Sequence, residues 1–252
     1  MPGFEVLYGR NAVLESLRAN RRRFYRLLLA QSVAAGGAVG DILAEARARN
    51  VPHVAVDRAA LDKLVGKDAG HHQGVALEVG AYPYVPWQEA LRACLQRQEM
   101  PLFLVLDCLQ DPQNLGSLLR TAEAVGVHGV VIPKRRAVEV TPAVVNASAG
   151  ATEHLNVDIV SNLAQTLEEM KRANLWAVGL EAAPGALVYA EADLDRPLAL
   201  VVGSEGSGIS RLLRDRCDFL IRLPMRGRVG SLNAAVAGSV ALYEVVRQRR
   251  GR

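Results

Sequence analysis

A chain of 252 residues, half of them hydrophobic, is long enough to build one large domain or two modest ones around real cores. Its formal net charge of +4 leans toward a polyanionic partner, and the lean is carried by clusters: RANRRRFYR at 18–26, PKRR at 133–136, RGR at 226–228 and RQRRGR at 247–252. No apolar run reaches the roughly 18 to 20 residues that cross a bilayer, and the first ten residues lack the regions of a signal peptide, so a cytoplasmic protein without membrane attachment is expected. Cys94, Cys108 and Cys217 are widely spaced with no CxxC, which argues against a disulfide framework and a zinc site and predicts buried thiols and no metal.

The amino-terminal part alternates between helical and extended patterns. A helix fits GRNAVLESLRAN (9–20), a strand FYRLLLAQ (24–31), a helix AVGDILAEARARN (38–50), a strand PHVAVD (52–57), a helix RAALDKLVG (58–66) and a strand HQGVALEVG (72–80). This predicts a small α/β domain over residues 1–80. The pair His71 and His72 has no spaced ligand partners and is expected to be structural. In AYPYVPW (81–87) two prolines and three aromatics break regular structure, so 81–98 is read as a linker, with a helical stretch at 88–99 leading into a second domain over 99–252.

In that second domain strands fit PLFLVLD, GVVIP, LNVDIV, LWAVGLE, LALVVG and FLIRLP, and helices fit 115–125, 142–149, 162–173, 209–215 and 232–249. Short continuous apolar strands separated by helices predict an α/β fold with a parallel sheet covered on both faces. Ligands of such sheets sit beyond the carboxyl ends of the strands, so the loops after strands are where function is sought. The first, CLQDPQNLGSLLRTAEAVG, has Pro112 to stiffen a turn, Asn114 as a possible helix cap, Leu115, Leu118, Leu119, Ala122 and Val125 facing the sheet, and Arg120 on another face, within reach of Glu123. The second, SEGSGIS, offers Gly203, Gly206 and Gly208 for close backbone approach, but Glu205 in its middle would repel a phosphate. The third, LPMRGRVGSLN, leads into a helix dense in small residues, whose Gly238 predicts a close neighbour, most simply another backbone. The loop GLEA is less distinctive. No GxGxxG or GxxxxGK[ST] is present, which removes dinucleotide dehydrogenases and P-loop NTPases; HExxH and GxSxG are absent too.

Taken together, DPQNLGSLLRTAEAVG, VVGSEGSGIS and IRLPMRGRVGSLNAAVA resemble the three signature motifs of the SpoU/TrmH group of 2′-O-ribose RNA methyltransferases, in the SPOUT superfamily. The first 80 residues, with YGRNAVLESL and HHQGVALEV, are similar to the L30e-like substrate-binding domain of the branch that methylates a guanosine of bacterial large-subunit (23S) ribosomal RNA. The resemblance implies a deep trefoil knot near the carboxyl end, S-adenosylmethionine as cofactor, ribosomal RNA as partner and a homodimer through the knot domain. It implies cofactor contacts at Leu180, Gly203, Ile221, Leu223, Met225, Ser231 and Leu232, and catalytic roles for Arg120, Asn114, Glu205 and Asn233. Asn146 stands where the family is often basic, and Ala234-Ala235 where it often has valine and serine.

Methyl transfer to a ribose hydroxyl is an in-line displacement that needs alignment and removal of a proton. A guanidinium is a poor proton acceptor, so Arg120 fits the tasks of holding an adjacent phosphate and stabilising a developing alkoxide. Asn114 would orient the ribose or Arg120, Glu205 would tie its loop, and Ser231 and Asn233 would hold the ends of the third loop. The alternatives are the same chemistry on transfer RNA or another ribosomal site, or a non-catalytic RNA-binding or ribosome-assembly protein.

Overall fold

The computed structural model describes residues 4–34, 36–66, 71–204 and 206–249. The chain forms two compact units. One runs to Pro83 and takes back Val140–His154; the other comprises Tyr84–Glu139 and the chain from Leu155 onward. Sequence patterning assigned 140–154 to the second domain because it lies between two strands of that domain. Its side chains decide otherwise, since Glu153, only 1% exposed, is an acid that must find a cation, and the cation is Arg22 of the first unit.

The first unit has a four-stranded sheet of β1 (Glu5–Tyr8), β2 (Phe24–Ala30), β3 (His53–Val56) and β4 (Val75–Val79) in the order β1-β4-β2-β3. The β4 strand pairs antiparallel with both β1 and β2, while β3 adds parallel to β2. Strand β1 was missed by patterning: EVLY is four residues long and its burial runs in halves rather than alternating. Three helices, α1 (Arg10–Ala19), α2 (Ala38–Ala48) and α3 (Arg58–Val65), connect the strands. The returning segment supplies α6 (Pro142–Ala147), numbered by chain order, and a 3-10 turn at Ala151–His154.

A buried ionic network fastens this segment. The Arg22 side chain, fully buried, donates to Glu153 Oε1 at 2.7 Å and Oε2 at 2.9 Å, to Glu5 Oε2 at 2.6 Å and to the Gly80 carbonyl at 3.2 Å. Ser16 Oγ donates to Glu153 at 3.0 Å, and the Tyr82 ring lies under Arg22 at 5.0 Å while its hydroxyl donates to the Thr152 carbonyl. Burial opposes the charge on Arg22, but the Glu153 and Glu5 carboxylates outweigh it and hold the guanidinium above its ordinary pKa. Asn146 is also structural here, donating to the Tyr8 carbonyl at 3.0 Å.

The second unit opens with α4 (Trp87–Gln96), so the segment read as a linker contains one of its helices. Its sheet has seven strands, β5 (Leu102–Leu106), β6 (Gly129–Pro133), β7 (Val157–Val160), β8 (Trp176–Leu180), β9 (Leu187–Val188), β10 (Leu198–Val202) and β11 (Phe219–Arg222), in the order β7-β6-β5-β10-β8-β11-β9. Every pair is parallel. Strands β5 and β10, both buried throughout, explain their unbroken apolar spelling: helices cover both faces, so no position can be polar. The helices are α5 (Pro112–Ala124), α7 (Leu163–Arg172), α8 (Arg211–Arg214) and α9 (Ala234–Arg249). Leu115, Leu118, Leu119 and Ala122 are buried as patterning required, and Val125 is half-buried. Among the described residues no helix is long and apolar enough to cross a membrane.

Candidate active site

Two turns and two helix starts meet at the carboxyl end of the second sheet. After β10 the chain doubles back so tightly that Ser204 N–H bonds to the Gly208 carbonyl at 3.1 Å and Gly208 N–H returns the bond at 3.0 Å. A side chain at Gly203 would place its Cβ 2.1 Å from the Gly208 carbonyl carbon, so that position is glycine because backbone occupies the space. Two carboxylates at strand ends pin the turn. Glu181, one residue beyond β8, accepts from Ile209 N–H at 3.0 Å and pairs with Arg214 at 2.9 Å. Asp107, one residue beyond β5, accepts from Ser210 N–H at 2.7 Å. Neither acid was assigned a role from sequence; the available signal was an acid ending a buried strand at the sheet edge where ligands bind. Glu205, expected to tie this loop, lies outside the described residues.

The helix starts are joined by a pair of asparagines. Asp111, not Asn114, caps α5, accepting from the N–H groups of Gln113 and Asn114 at 3.2 Å each, with Pro112 in the first turn. The helix therefore begins earlier than the patterning placed it, and the Asn114 side chain is released from capping. Its Oδ1 accepts from Asn233 Nδ2 at 2.8 Å. Asn233 meanwhile caps α9, its Oδ1 accepting from Ala235 N–H at 2.9 Å and Val236 N–H at 3.2 Å. Two turns along the same stripes, Ser239 donates to Thr121 at 2.8 Å.

Arg120 precedes Thr121 and so stands beside that seam on the exposed flank of α5. The ion pair with Glu123 that spacing allows is not formed among the described residues. Gly238 faces Leu118 rather than a backbone: a Cβ there would come within 2.9 Å of Leu118 Cδ1 and 3.4 Å of Val202 Cγ2. The close neighbour that glycine predicted is a side chain.

A pocket of about 350 Å³ lies between the turn and the third loop. Leu180, Gly203, Leu223, Met225, Ser231 and Leu232 line it, as do Glu181, Ser204, Gly206 and Gly208. Ile221 does not; it is fully buried opposite Leu180 in the β8–β11 register, and its carbonyl accepts from Glu181 N–H at 2.9 Å. Arg120, Asn114 and Asn233 are also off the lining, although Asn233 stands between Leu232 and Ala234, which are on it. Among the described residues the charged lining residues are Glu181 and Arg222, and Glu181 is already paired. Such a cavity suits a flat uncharged ring held by main-chain groups and apolar side chains, and not a polyphosphate. Met225 and Leu232, 38% and 41% exposed, offer apolar surface for a ligand to cover. The pocket thus fits the adenosine half of S-adenosylmethionine, with the residues just named as those that would hold it.

Two other polar clusters are structural. His72 is buried between Asp62, 2.9 Å from its Nε2, and Gly74 N–H, which bonds to its Nδ1. Cys94, Glu99 and His128 bring ligand atoms within 4.8 Å of one another. Here His128 Nδ1 accepts from Leu102 N–H at 3.0 Å, which places the ring proton on Nε2, where it meets Glu99 at 3.0 Å. A metal at Nε2 would need that proton gone and the Leu102 bond broken.

Comparison with known proteins agrees with this geometry. Residues 101–243 match the SpoU rRNA Methylase family, and residues 6–85 match the RNA 2′-O ribose methyltransferase substrate-binding family. The chain is 46% identical over 97% of its length, and 96% of the relative's, to Bacillus subtilis YacO, named for the TrmH tRNA/rRNA methyltransferase family. It superposes on the SpoU methyltransferase AviRb from Streptomyces viridochromogenes, solved with the cofactor AdoMet, with a TM-score of 0.80 and 25% identity over 99% of this chain and 92% of that one. An AdoMet-bound rRNA methyltransferase from Sinorhizobium meliloti, 23% identical, shares the fold over 97% of this chain and 87% of its own at a TM-score of 0.75. The chain belongs to the SpoU family and is an RNA 2′-O-ribose methyltransferase that uses S-adenosylmethionine.

Proposed function

We propose that this enzyme methylates the 2′-oxygen of a guanosine ribose in 23S ribosomal RNA, acting as a cytoplasmic homodimer whose carboxyl-terminal chain is tied in a trefoil knot. The observation that carries the substrate class is the pairing, in one chain, of a substrate-binding segment at 6–85 with a methylase segment whose family description is ribosomal. Exposed cations at Lys134, Arg135, Arg136, Arg226 and Arg228 give the methylase unit its own means of meeting phosphates.

S-adenosylmethionine, when bound, supplies a methyl group on a sulfonium. The chain's own residues do the rest. Leu180, Gly203, Leu223, Met225, Ser231 and Leu232 grip the adenosine, and Ile221 backs the strand on which Leu180 sits. The Asn114–Asn233 bond locks the start of α5 to the start of α9, which fixes the flank carrying Arg120 relative to the third loop. Arg120, with a guanidinium free of carboxylates, holds a phosphate beside the target ribose and stabilises the oxygen as it loses its proton.

For the knot, the supporting feature is order: β10 is laid between β5 and β8, both earlier in the chain, and α9 then packs on α5 and β10. For the dimer, α9 is apolar on both sides. Its inner face buries Ala235, Gly238, Leu242 and Val245, while Val236, Val240 and Tyr243 form an outer stripe 49%, 38% and 55% exposed.

Arg120→Ala is expected to abolish methyl transfer from labelled S-adenosylmethionine to 23S RNA while calorimetry finds cofactor affinity intact; retained turnover refutes the assignment. A second reading, transfer RNA as substrate, is favoured by the name of the Bacillus relative, which spans both RNA classes. Parallel assays on purified transfer RNA and 23S RNA separate the two.

A further inference from the structure

The arginine-rich stretch at 18–26 is not one basic patch. The structure sorts its cations by partner. Arg18 pairs with Glu15 at 2.8 Å, Arg22 is buried on Glu153 and Glu5, Arg26 pairs with Glu78 at 2.6 Å, and Arg21 donates to the carbonyls of Glu153 and Pro83. Arg23 is exposed and, among the described residues, has no carboxylate partner. Its guanidinium lies over the Tyr25 ring, 5.2 Å from the centroid.

Tyr25 is presented by a local irregularity. Phe24 is opposite Val79 and Arg26 is opposite Glu78, so two steps along β2 answer one step along β4 and Tyr25 is the extra residue of a bulge. Bulges release a residue from the ladder and re-aim its side chain. The result is a tyrosine ring 37% exposed on a rigid strand and topped by an unneutralised arginine. A ring with one face covered by a free guanidinium matches one chemistry closely, an unpaired nucleobase with its own phosphate: the base extends the stack on the open ring face or on the guanidinium plane, and the guanidinium's N–H edge meets the backbone anion.

The geometry points to Tyr25 and Arg23 as a stacking platform on the amino-terminal unit for an unpaired base of the RNA substrate other than the one whose ribose reacts. This rests on the RNA substrate reading above and adds to it the residues that would read a single-stranded feature. Tyr25 would position RNA and take no part in the chemistry.

The test measures affinity of the full chain for in vitro transcribed 23S RNA across a salt series. Tyr25→Ala is expected to weaken binding about tenfold, within the range for losing one stacked base, and to leave the slope of log K against log salt unchanged. Tyr25→Phe keeps the ring and is expected to keep wild-type affinity. Arg23→Ala is expected to reduce the slope by about 0.7, one single-strand phosphate contact. S-adenosylmethionine affinity by calorimetry is expected to be the same in all three, which guards against misfolding. Wild-type affinity in Tyr25→Ala, or a loss that Tyr25→Phe shares, overturns the platform alone. A wild-type chain that binds neither ribosomal nor transfer RNA overturns the substrate reading with it.

Discussion

The two units solve the problem of joining distant pieces of chain in opposite ways. The first fastens Val140–His154 to its sheet with a buried ion network, in which the side chains of Arg22 and Glu153 are 0% and 1% exposed. The second fastens its turn after β10 with main chain against main chain at Gly203 and Gly208, and with two acids that accept backbone N–H groups. Charge networks are strong only while complete, whereas backbone contacts tolerate no added atom. The difference teaches that the first unit is vulnerable to deletion of a group and the second to addition of one.

The largest effect follows from deletion in the network. Glu153→Ala leaves the Arg22 guanidinium buried beside Glu5 alone and is expected to destabilise the protein by about 3 to 5 kcal/mol in denaturant unfolding. Replacing both partners, Arg22→Met with Glu153→Leu, is expected to cost less than Glu153→Ala by itself, because no buried charge is then orphaned. If the double variant is as unstable as the two single losses combined, the network is not the fastener.

Addition at the turn comes next. Gly203→Ala puts a methyl where the Gly208 carbonyl carbon and oxygen lie 2.1 and 2.2 Å away, and main chain cannot rotate aside as a side-chain end can. The turn must open, and cofactor affinity by calorimetry is expected to fall about 30- to 150-fold, since about 2 to 3 kcal/mol is the upper part of the range for overpacking that moves backbone. Unchanged affinity would mean that the pocket does not depend on this close approach.

These contrasts also explain what the sequence disclosed. The alternation of strands and helices was legible because each buried parallel strand must be apolar throughout, as LFLVL and LALVV are. The loops were legible as sites because glycines and polar residues interrupt that pattern at the sheet's carboxyl edge. Residues 140–154 were misassigned because membership in a unit is a tertiary fact: AVVNASAGATEHL carries no mark that Glu153 will meet an arginine more than a hundred positions earlier. Asn114 looked like a cap because capping is local, but Asp111 three positions earlier caps better with Pro112 following, and the partner that claims Asn114 lies far along the chain at Asn233. The closeness at Gly238 was read correctly and its cause was not, since a glycine reports that space is taken without saying by what.

The link between helix starts should show a smaller effect. Asn114→Ala removes the acceptor for Asn233 while leaving Asn233 as cap of α9, and Asn233→Ala removes both functions. In a double-mutant cycle read by thermal unfolding the pair is expected to couple by about 1 kcal/mol, the net worth of one hydrogen bond. Methylation should drop more than stability does if the link positions Arg120. Equal drops would reduce the pair to scaffolding.

Gly238→Ala is expected to have the least effect of all, and the comparison with Gly203 sharpens because both are crowded glycines. Within α9 an alanine gains about 1 kcal/mol of helix propensity over glycine. Against this, its Cβ would stand 2.9 Å from Leu118 Cδ1, a contact tighter than side chains normally accept. Leu118 is fully buried, yet the crowded atom is the end of its side chain, which a small χ2 adjustment moves by tenths of an ångström. Strain and propensity therefore nearly cancel, and the free energy of unfolding should change by no more than about 1 kcal/mol in either direction. A loss several times larger would mean that the α5–α9 seam is as rigid as the backbone turn after β10, and that the second unit has no compliant surface against which a helix can settle.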